Sequence, residues 1–336
     1  MQKVRIGVIG LGWFGEKHCE ALSAIPHVEL FAVCTRTKSR LRKLGKKFGV
    51  QHTYTDYSEL LANPDIDAVS VVTMWDQHAA PALASLKSGK HVFLEKPMAS
   101  TMKDCRAIVK AARSAKGSLM VGHICRFNPR FAKAKDEIAN IGKVVSFYAR
   151  RNIPAFVTTE ILNKIGPIIG DGVHDTDLML WYTGAKVTSA YAQTVDIRGK
   201  KYPDIGWTMY RLDSGATGVL ENVWALPDGT PMQIDERMEI IGTKGSIHIQ
   251  ETHPNFSVSD KDGWRNPDTT YWPDLHGVCA GALRDELSYF TYCILEGKKP
   301  TIITPEESMA AVEACLAAEK SAATGRVVTL NRSQKK

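Results

Sequence analysis

The stretch Val4-Arg5-Ile6-Gly7-Val8-Ile9-Gly10-Leu11-Gly12-Trp13-Phe14-Gly15 decides how this chain is read: a β-branched apolar run leads directly into a G-x-G-x-x-G turn. Gly10 allows the tight turn, Gly12 lets a pyrophosphate approach the backbone, and Gly15 lets helix and strand pack closely. A helix over 16–23 follows, and its N-terminus offers N–H donors and positive potential to phosphate. Alone, the hexapeptide is a weak signal. Placed after a strand and ahead of further β–α units, it reads as a dinucleotide-binding turn, with Trp13 and Phe14 beside the cofactor.

Working outward, apolar runs at 28–34, 68–73, 91–94 and 118–121 alternate with helix-length segments, which implies a parallel sheet with right-handed crossovers. These runs lack in-out alternation, as expected of strands covered on both faces. The later chain is patterned differently. Strand candidates at 143–148, 187–195, 207–212, 216–224, 237–241 and 246–250 are separated mostly by turn signals such as Asp213-Ser214-Gly215 and Thr243-Lys244-Gly245, suggesting a largely antiparallel sheet. Helices are expected at 174–182, 283–295 and 305–324. The fold class is therefore α/β: an N-terminal Rossmann, doubly wound parallel sheet over 1–122, and an α+β domain with an open, largely antiparallel sheet over 123–336.

With 336 residues, 44% of them hydrophobic, the chain can bury a sizeable core. Lys and Arg exceed Asp and Glu by 43 to 36, but apart from short runs such as 40–47 and the tail Lys335, Lys336 the positive charges are dispersed. That suits a small anionic ligand and gives no reason to expect nucleic acid. The seven Cys form no C-x-x-C pair and no regular spacing, so neither a zinc ribbon nor a disulfide framework is indicated. Neither a signal peptide nor a membrane span is read, and a cytoplasmic location is expected.

An NAD-preferring site calls for an acid at the end of the second strand, to accept hydrogen bonds from the ribose hydroxyls. Here the strand ends Val33-Cys34-Thr35-Arg36-Thr37-Lys38. Thr35 can hydrogen-bond a 2′-phosphate and Arg36 can pair with it, so of NAD and NADP the latter is favoured. Arg36 and Lys38 as a solvated helix start is the competing reading.

Three further strings narrow the class. Glu95-Lys96-Pro97 follows the strand 91–94, Gly122-His123-Ile124-Cys125-Arg126-Phe127-Asn128-Pro129 follows 118–121, and His174-Asp175-Thr176-Asp177-Leu178 opens a later helix. With the glycine turn and Ile240-Ile241-Gly242-Thr243-Lys244-Gly245-Ser246, they resemble the glucose-fructose oxidoreductase, inositol dehydrogenase and rhizopine catabolism family, Gfo/Idh/MocA, over nearly the whole chain. The resemblance implies a nicotinamide site at the carboxyl edge of the parallel sheet, facing the open sheet of the second domain. Lys96 would stand at the nicotinamide and the substrate hydroxyl, after Glu95 and before a cis Pro97, where an ammonium can stabilise developing alkoxide charge. It also implies that His174 is the acid/base, since imidazole suits proton transfer near neutrality.

His174 and Asp177, three apart, share a helix face, while Asp175 points elsewhere; adjacent helical positions diverge, so no metal site is read from the three. The sequence departs from the family at two places. The usual Asp four residues before the His is Gly170 here, with Asp171 beside it as the substitute. After the fourth strand, where members often read Thr-Pro-Asn, this chain has Thr73-Met74-Trp75-Asp76-Gln77-His78. Thr73, Trp75 and His78 are cofactor-side candidates, and Arg126 is one for cofactor, substrate or an ion pair between domains.

Substrate recognition falls to second-domain loops, with 150–164 and the aromatic segment 264–276 as candidates. Trp264, Tyr271 and Trp272 would stack on a pyranose face with Asp268 or Asp274 accepting its hydroxyls, or else form an oligomer contact. The leading expectation is hydride transfer between nicotinamide and a C–OH of a sugar, sugar derivative or cyclitol, bound through Lys96, Asp171, His174 and Asp177, in a homodimer or homotetramer packed through the open sheets. Two alternatives stay open: cofactor recycling through a keto-sugar that releases a glycosidic substituent, and a nucleotide-sensing regulator without chemistry.

Overall fold

Six short apolar runs pair side by side as β1 (Val4–Ile9), β2 (Val28–Cys34), β3 (His52–Tyr54), β4 (Ala68–Val71), β5 (His91–Glu95) and β6 (Leu119–Gly122), all parallel, in the order β3-β2-β1-β4-β5-β6. The computed structural model describes residues 3–250, 256–261 and 263–330; the basic tail Lys335, Lys336 lies outside them. β4 and β6 are buried along their whole length, which is why their sequences do not alternate. The crossovers are α1 (Trp13–Ser23), α2 (Lys38–Phe48), α3 (Tyr57–Ala62), α4 (Ala79–Lys87) and α5 (Met102–Ser114). Side-chain caps start two of them: Asp56 accepts from the Ser58 N–H, and Thr101 from the Asp104 N–H. Strand order reverses between β1 and β4, and ligands of such sheets bind beyond the carboxyl ends at that point. β3 is a strand that sequence patterning leaves out; three residues paired only to β2 carry too little pattern to be read.

The second sheet has the order β12-β11-β7-β10-β9-β8, with the short strand Val328–Thr329 beyond β8. Its members are β7 (Val144–Asn152), β8 (Val187–Val195), β9 (Ile205–Leu212), β10 (Thr217–Val223), β11 (Asp235–Gly242) and β12 (Ser246–Gln250). Every pairing is antiparallel except β7 with β10. Helices α6 (Pro129–Glu137), α7 (Ala155–Thr158), α8 (Pro167–Gly170) and α9 (Gly172–Thr183) belong to the same unit. α8 and α9 cover one face, over Phe147, Ala149, Tyr210, Leu220 and Met238. Alternate residues on the other face, including Trp207, Met209 and Ile241, are exposed.

The two compact units are not consecutive blocks: one comprises Met1–Asn128 with Thr269–Met309, the other Pro129–Asp268 with Ala310–Lys336. A single cut after residue 122 leaves out the return of 269–309. Its helix α10 (Ala282–Leu295) packs against α1, β1 and β5 through buried Leu283, Leu287 and Phe290, while α11 (Pro305–Thr324) follows it in the chain. Among the described residues no helix is long and apolar enough to cross a membrane.

Candidate active site

At the carboxyl end of β1 the chain turns at Gly10, whose φ is +99°; a side chain there would meet the Val72 carbonyl oxygen at 2.5 Å. A Cβ on Gly15 would collide with the Gly10 carbonyl, so that glycine serves helix–strand packing. Gly12 differs: a Cβ there meets nothing within 4 Å, so its protein neighbours do not demand glycine and the face stays clear for a ligand. The first-turn N–H groups of α1 begin at this clear face, and together they fit a pyrophosphate. Arg40 ties the turn from behind, donating from Nε to the Leu11 carbonyl at 2.8 Å and from Nη2 to Glu16 at 2.6 Å. Trp13 is 63% exposed and stacks on Phe14, and Trp272 meets both edge-on at 5.6 and 5.5 Å between ring centroids. Trp272 therefore borders the glycine turn. Tyr271 is buried with its hydroxyl 3.7 Å from Cys125 Sγ, and Trp264 is exposed on a short hairpin of the other unit.

Next along the strand ends, Thr35 follows β2 with its N–H on the Tyr54 carbonyl, and exposed Arg36 donates to Gln77 Oε1 at 3.2 Å. This joins the β2 tip to the turn after β4, where Thr73 donates to the Gln77 carbonyl and Trp75 is half-buried in a 3-10 turn. His78 is buried between that turn and the next, its Nδ1 2.8 Å from the Pro97 carbonyl oxygen and Nε2 3.0 Å from that of Thr73. Burial pushes its pKa below the usual 6.5, against the pull of those two carbonyls, so the neutral ring donates to one of them at a time. His78 thus clamps the Thr73 turn to the Lys96–Pro97 turn, whose peptide bond is cis. The Lys96 N–H donates to Glu95 Oε2 at 3.1 Å. Arg126 is buried and donates to the Ile302 carbonyl at 2.5 Å, with Glu307 3.4 Å away; its ion pair lies within the first unit.

In the second unit, α9 begins just after Asp171, and the His174 N–H bonds the Asp171 carbonyl at 3.0 Å. His174, Asp175, Thr176 and Asp177 are all buried. Asp175 turns to Arg151, which grips both carboxylate oxygens at 3.0 and 3.3 Å and also pairs with Glu236, all three side chains being almost wholly buried. Burial raises the Asp175 pKa while Arg151 opposes the rise; the bidentate geometry is that of an ionised pair. Among the described residues no cluster of three or more His, Cys, Asp or Glu is arranged to hold a metal.

The departure at position 170 has a structural counterpart. A Cβ on Gly170 would lie 2.5 Å from the Trp224 ring, so the indole fills the room a side chain at 170 would need. The same indole donates from Nε1 to Asp171 Oδ2 at 2.7 Å. Glycine at 170, aspartate at 171 and tryptophan at 224 form one local solution, with the carboxylate moved one residue along and held.

Comparison with known proteins matches this architecture in both units. Residues 4–123 match the model of an oxidoreductase family with an NAD-binding Rossmann fold, and residues 131–248 match that of the GFO/IDH/MocA C-terminal domain. The chain is 30% identical to a myo-inositol 2-dehydrogenase of Thermotoga maritima, across 97% of this chain and 98% of that one. This protein belongs to the Gfo/Idh/MocA oxidoreductase family. A Bacillus subtilis relative named scyllo-inositol 2-dehydrogenase (NAD(+)) is 29% identical, over 98% of this chain and 97% of its own. Among solved structures, a probable dehydrogenase from Thermotoga maritima superposes with a TM-score of 0.81 at 27% identity, covering 97% of this chain and 98% of that one. The scyllo-inositol dehydrogenase of Lactobacillus casei, solved with NAD(H) and scyllo-inositol, has the same fold, with a TM-score of 0.84 at 22% identity over 98% of this chain and 99% of that one.

As a Gfo/Idh/MocA enzyme, this chain is an oxidoreductase acting on CH–OH groups, with an NAD-binding Rossmann domain. Sequence reasoning missed His18, Arg40 and Trp224. The first lies three residues after the glycine turn on α1, where a buried polar side chain is itself the signal. Arg40 was in view only as part of a basic run, and Trp224 acts through Asp171, a partner distant in sequence.

Proposed function

We propose that this enzyme is a nicotinamide-dependent dehydrogenase of a cyclitol or a closely related sugar, with inositols as first candidates because the Thermotoga maritima and Bacillus subtilis relatives described above, each matched over nearly the whole chain, are named inositol 2-dehydrogenases. The observation that carries the reading is the Trp224–Asp171 hydrogen bond at the start of the His174 helix: a carboxylate is fixed beside the proposed acid/base although position 170 cannot supply one. That arrangement argues against a regulator that has shed its chemistry.

In this reading the glycine turn and the N-terminus of α1 hold the pyrophosphate, and Thr35 with Arg36 receives the adenosine ribose. NADP is favoured over NAD because no carboxylate stands at the β2 tip to repel a 2′-phosphate. Arg40 is already taken by Glu16 and two carbonyls, which leaves Arg36 as the phosphate partner. Held there, nicotinamide would supply the acceptor for hydride from the substrate carbon. Lys96 donates a hydrogen bond to the reacting oxygen and stabilises its alkoxide character. His174 takes the hydroxyl proton in oxidation and returns it in reduction, while Asp171 and Asp177 orient ring and substrate. All seven cysteines are free thiols and buried, which fits a reducing, cytoplasmic setting.

The test is a panel of inositol isomers, sugars and sugar acids, each assayed with NAD and with NADP by the absorbance of reduced nicotinamide. Turnover of a cyclitol is the expected result. Product formed without net cofactor reduction overturns the simple dehydrogenase assignment in favour of cofactor recycling.

A further inference from the structure

Beneath the Lys96 turn, the first unit buries a polar island built from four elements. Glu95, at the end of β5, spends Oε2 on the Lys96 N–H at 3.1 Å and sets Oε1 3.1 Å from His18 Nε2 on α1. His18 Nδ1 lies 2.9 Å from the hydroxyl of Ser70 on β4. Strand β6 makes room for the carboxylate: a Cβ on Gly122 would come within 2.7 Å of Glu95 Oε1. The fourth member is Glu286 on α10, which is 0% exposed and has no hydrogen-bond partner for either carboxylate oxygen among the described residues. The surroundings are aromatic, with His18 edge-on to Phe93 and Phe93 edge-on to Phe290.

A lone carboxylate in such a place loses its hydration without compensation, and a second one nearby adds repulsion. Other charged side chains on the elements packed against α10 are already engaged: Arg126 by Glu307, Arg5 by Asp65 and Glu29, Glu16 and Glu20 by Lys47. Among the described residues, Glu95 is the charged group that acts on Glu286.

We propose that Glu286 is a positioning residue: held as a neutral carboxylic acid, it gives its proton as a hydrogen bond to a water that bridges to the Glu95 carboxylate, and so fixes the backbone that presents Lys96. Burial, and secondarily the Glu95 charge, drives the Glu286 carboxyl well above its ordinary range, in the same direction. The segment 269–309 thereby has a task within the first unit, since α10 carries the group that completes the Lys96 turn.

The consequence for catalysis rests on the proposed role of Lys96, so the tests are chosen to read the island separately. Glu286→Gln keeps shape, neutrality and a donor, whereas Glu286→Leu keeps an apolar fit but loses the donor. Removing a buried acid in favour of a hydrophobe is often neutral or stabilising, so Glu286→Leu is expected to melt no lower than wild type. Infrared difference spectra between wild type and Glu286→Gln at pH ~8, above the range where Glu319 holds its proton, should show a protonated-carboxyl C=O band that belongs to Glu286. Amide exchange at Lys96 should accelerate about tenfold in Glu286→Leu and return to the wild-type rate in Glu286→Gln. Turnover of the dehydrogenase should follow the same order, with cofactor KM unchanged. Absence of the infrared band, or wild-type exchange at Lys96 in Glu286→Leu, overturns the inference whatever the substrate proves to be. An intact band and altered exchange in a protein that oxidises no alcohol would sink the dehydrogenase reading alone.

Discussion

The indole nitrogen of Trp224 donates to Asp171 Oδ2 at 2.7 Å, and the same ring occupies the space a side chain at Gly170 would require. Strand β10 ends one residue before Trp224, so the sheet itself delivers the hydrogen bond that anchors the start of the His174 helix.

Two substitutions separate the ring's bulk from its donor. Trp224→Phe keeps most of the packing and loses the bond to a charged group, so kcat/KM should fall about tenfold, ~1.4 kcal/mol, with little change in melting temperature. Gly170→Ala drives a methyl group into the indole and should cost about 1–3 kcal/mol of stability as well as activity. Steady-state kinetics with thermal melts of both variants checks this.

The proposed preference for NADP rests on Arg36, the exposed guanidinium at the β2 tip. Arg36→Ala should raise KM for NADP about tenfold while changing that for NAD less than about twofold, since only the former offers a 2′-phosphate to pair with. Equal losses with both cofactors would assign Arg36 to a feature they share.

Glu319 on α11 supplies a pH dependence. Burial raises its carboxyl from the ordinary 4.5 to about 7. Between these values the unfolded chain has given up a proton that the folded chain keeps, so stability declines as pH rises through that window and the loss is complete above it. At ~1.4 kcal/mol per unit this amounts to about 3 kcal/mol. Glu319→Gln should match wild type below the window and exceed it by about that amount at pH ~8, as read by denaturant unfolding at both pH values.

Trp207 and Met209 on β9 and Ile241 on β11 are 43%, 51% and 44% exposed, and the expected packing of the open sheets in a homo-oligomer would cover them. Trp207→Asp combined with Met209→Asp should convert a dimer or tetramer to a smaller folded species in light scattering. An unchanged mass would place any assembly elsewhere.

Much of this architecture was legible in the residues, because the signals are local. The strand leading into Gly10, the apolar runs without alternation and the turns at Asp213-Ser214-Gly215 and Thr243-Lys244-Gly245 each act within a few residues. Every expected strand of the second sheet is present, most with ends shifted by one to four residues. What could not be read was pairing at a distance. Arg126 offered three readings, and only the fold brings it to Glu307. Trp272 reads as a sugar platform or an oligomer contact, and its packing against Trp13 and Phe14 of the glycine turn is visible only in the fold. The clamp that His78 makes, with both ring nitrogens facing backbone carbonyls of the neighbouring turns, is likewise a pairing at a distance.

The central claim is that Lys96 and His174 serve one hydride transfer. The most direct measurement compares Lys96→Ala and His174→Ala with wild type in two assays, turnover of the best cyclitol and fluorescence titration with reduced cofactor. Turnover should drop by about two to four orders of magnitude in each variant while cofactor affinity stays within about threefold. Wild-type turnover in either variant, with cofactor still bound, would contradict the account.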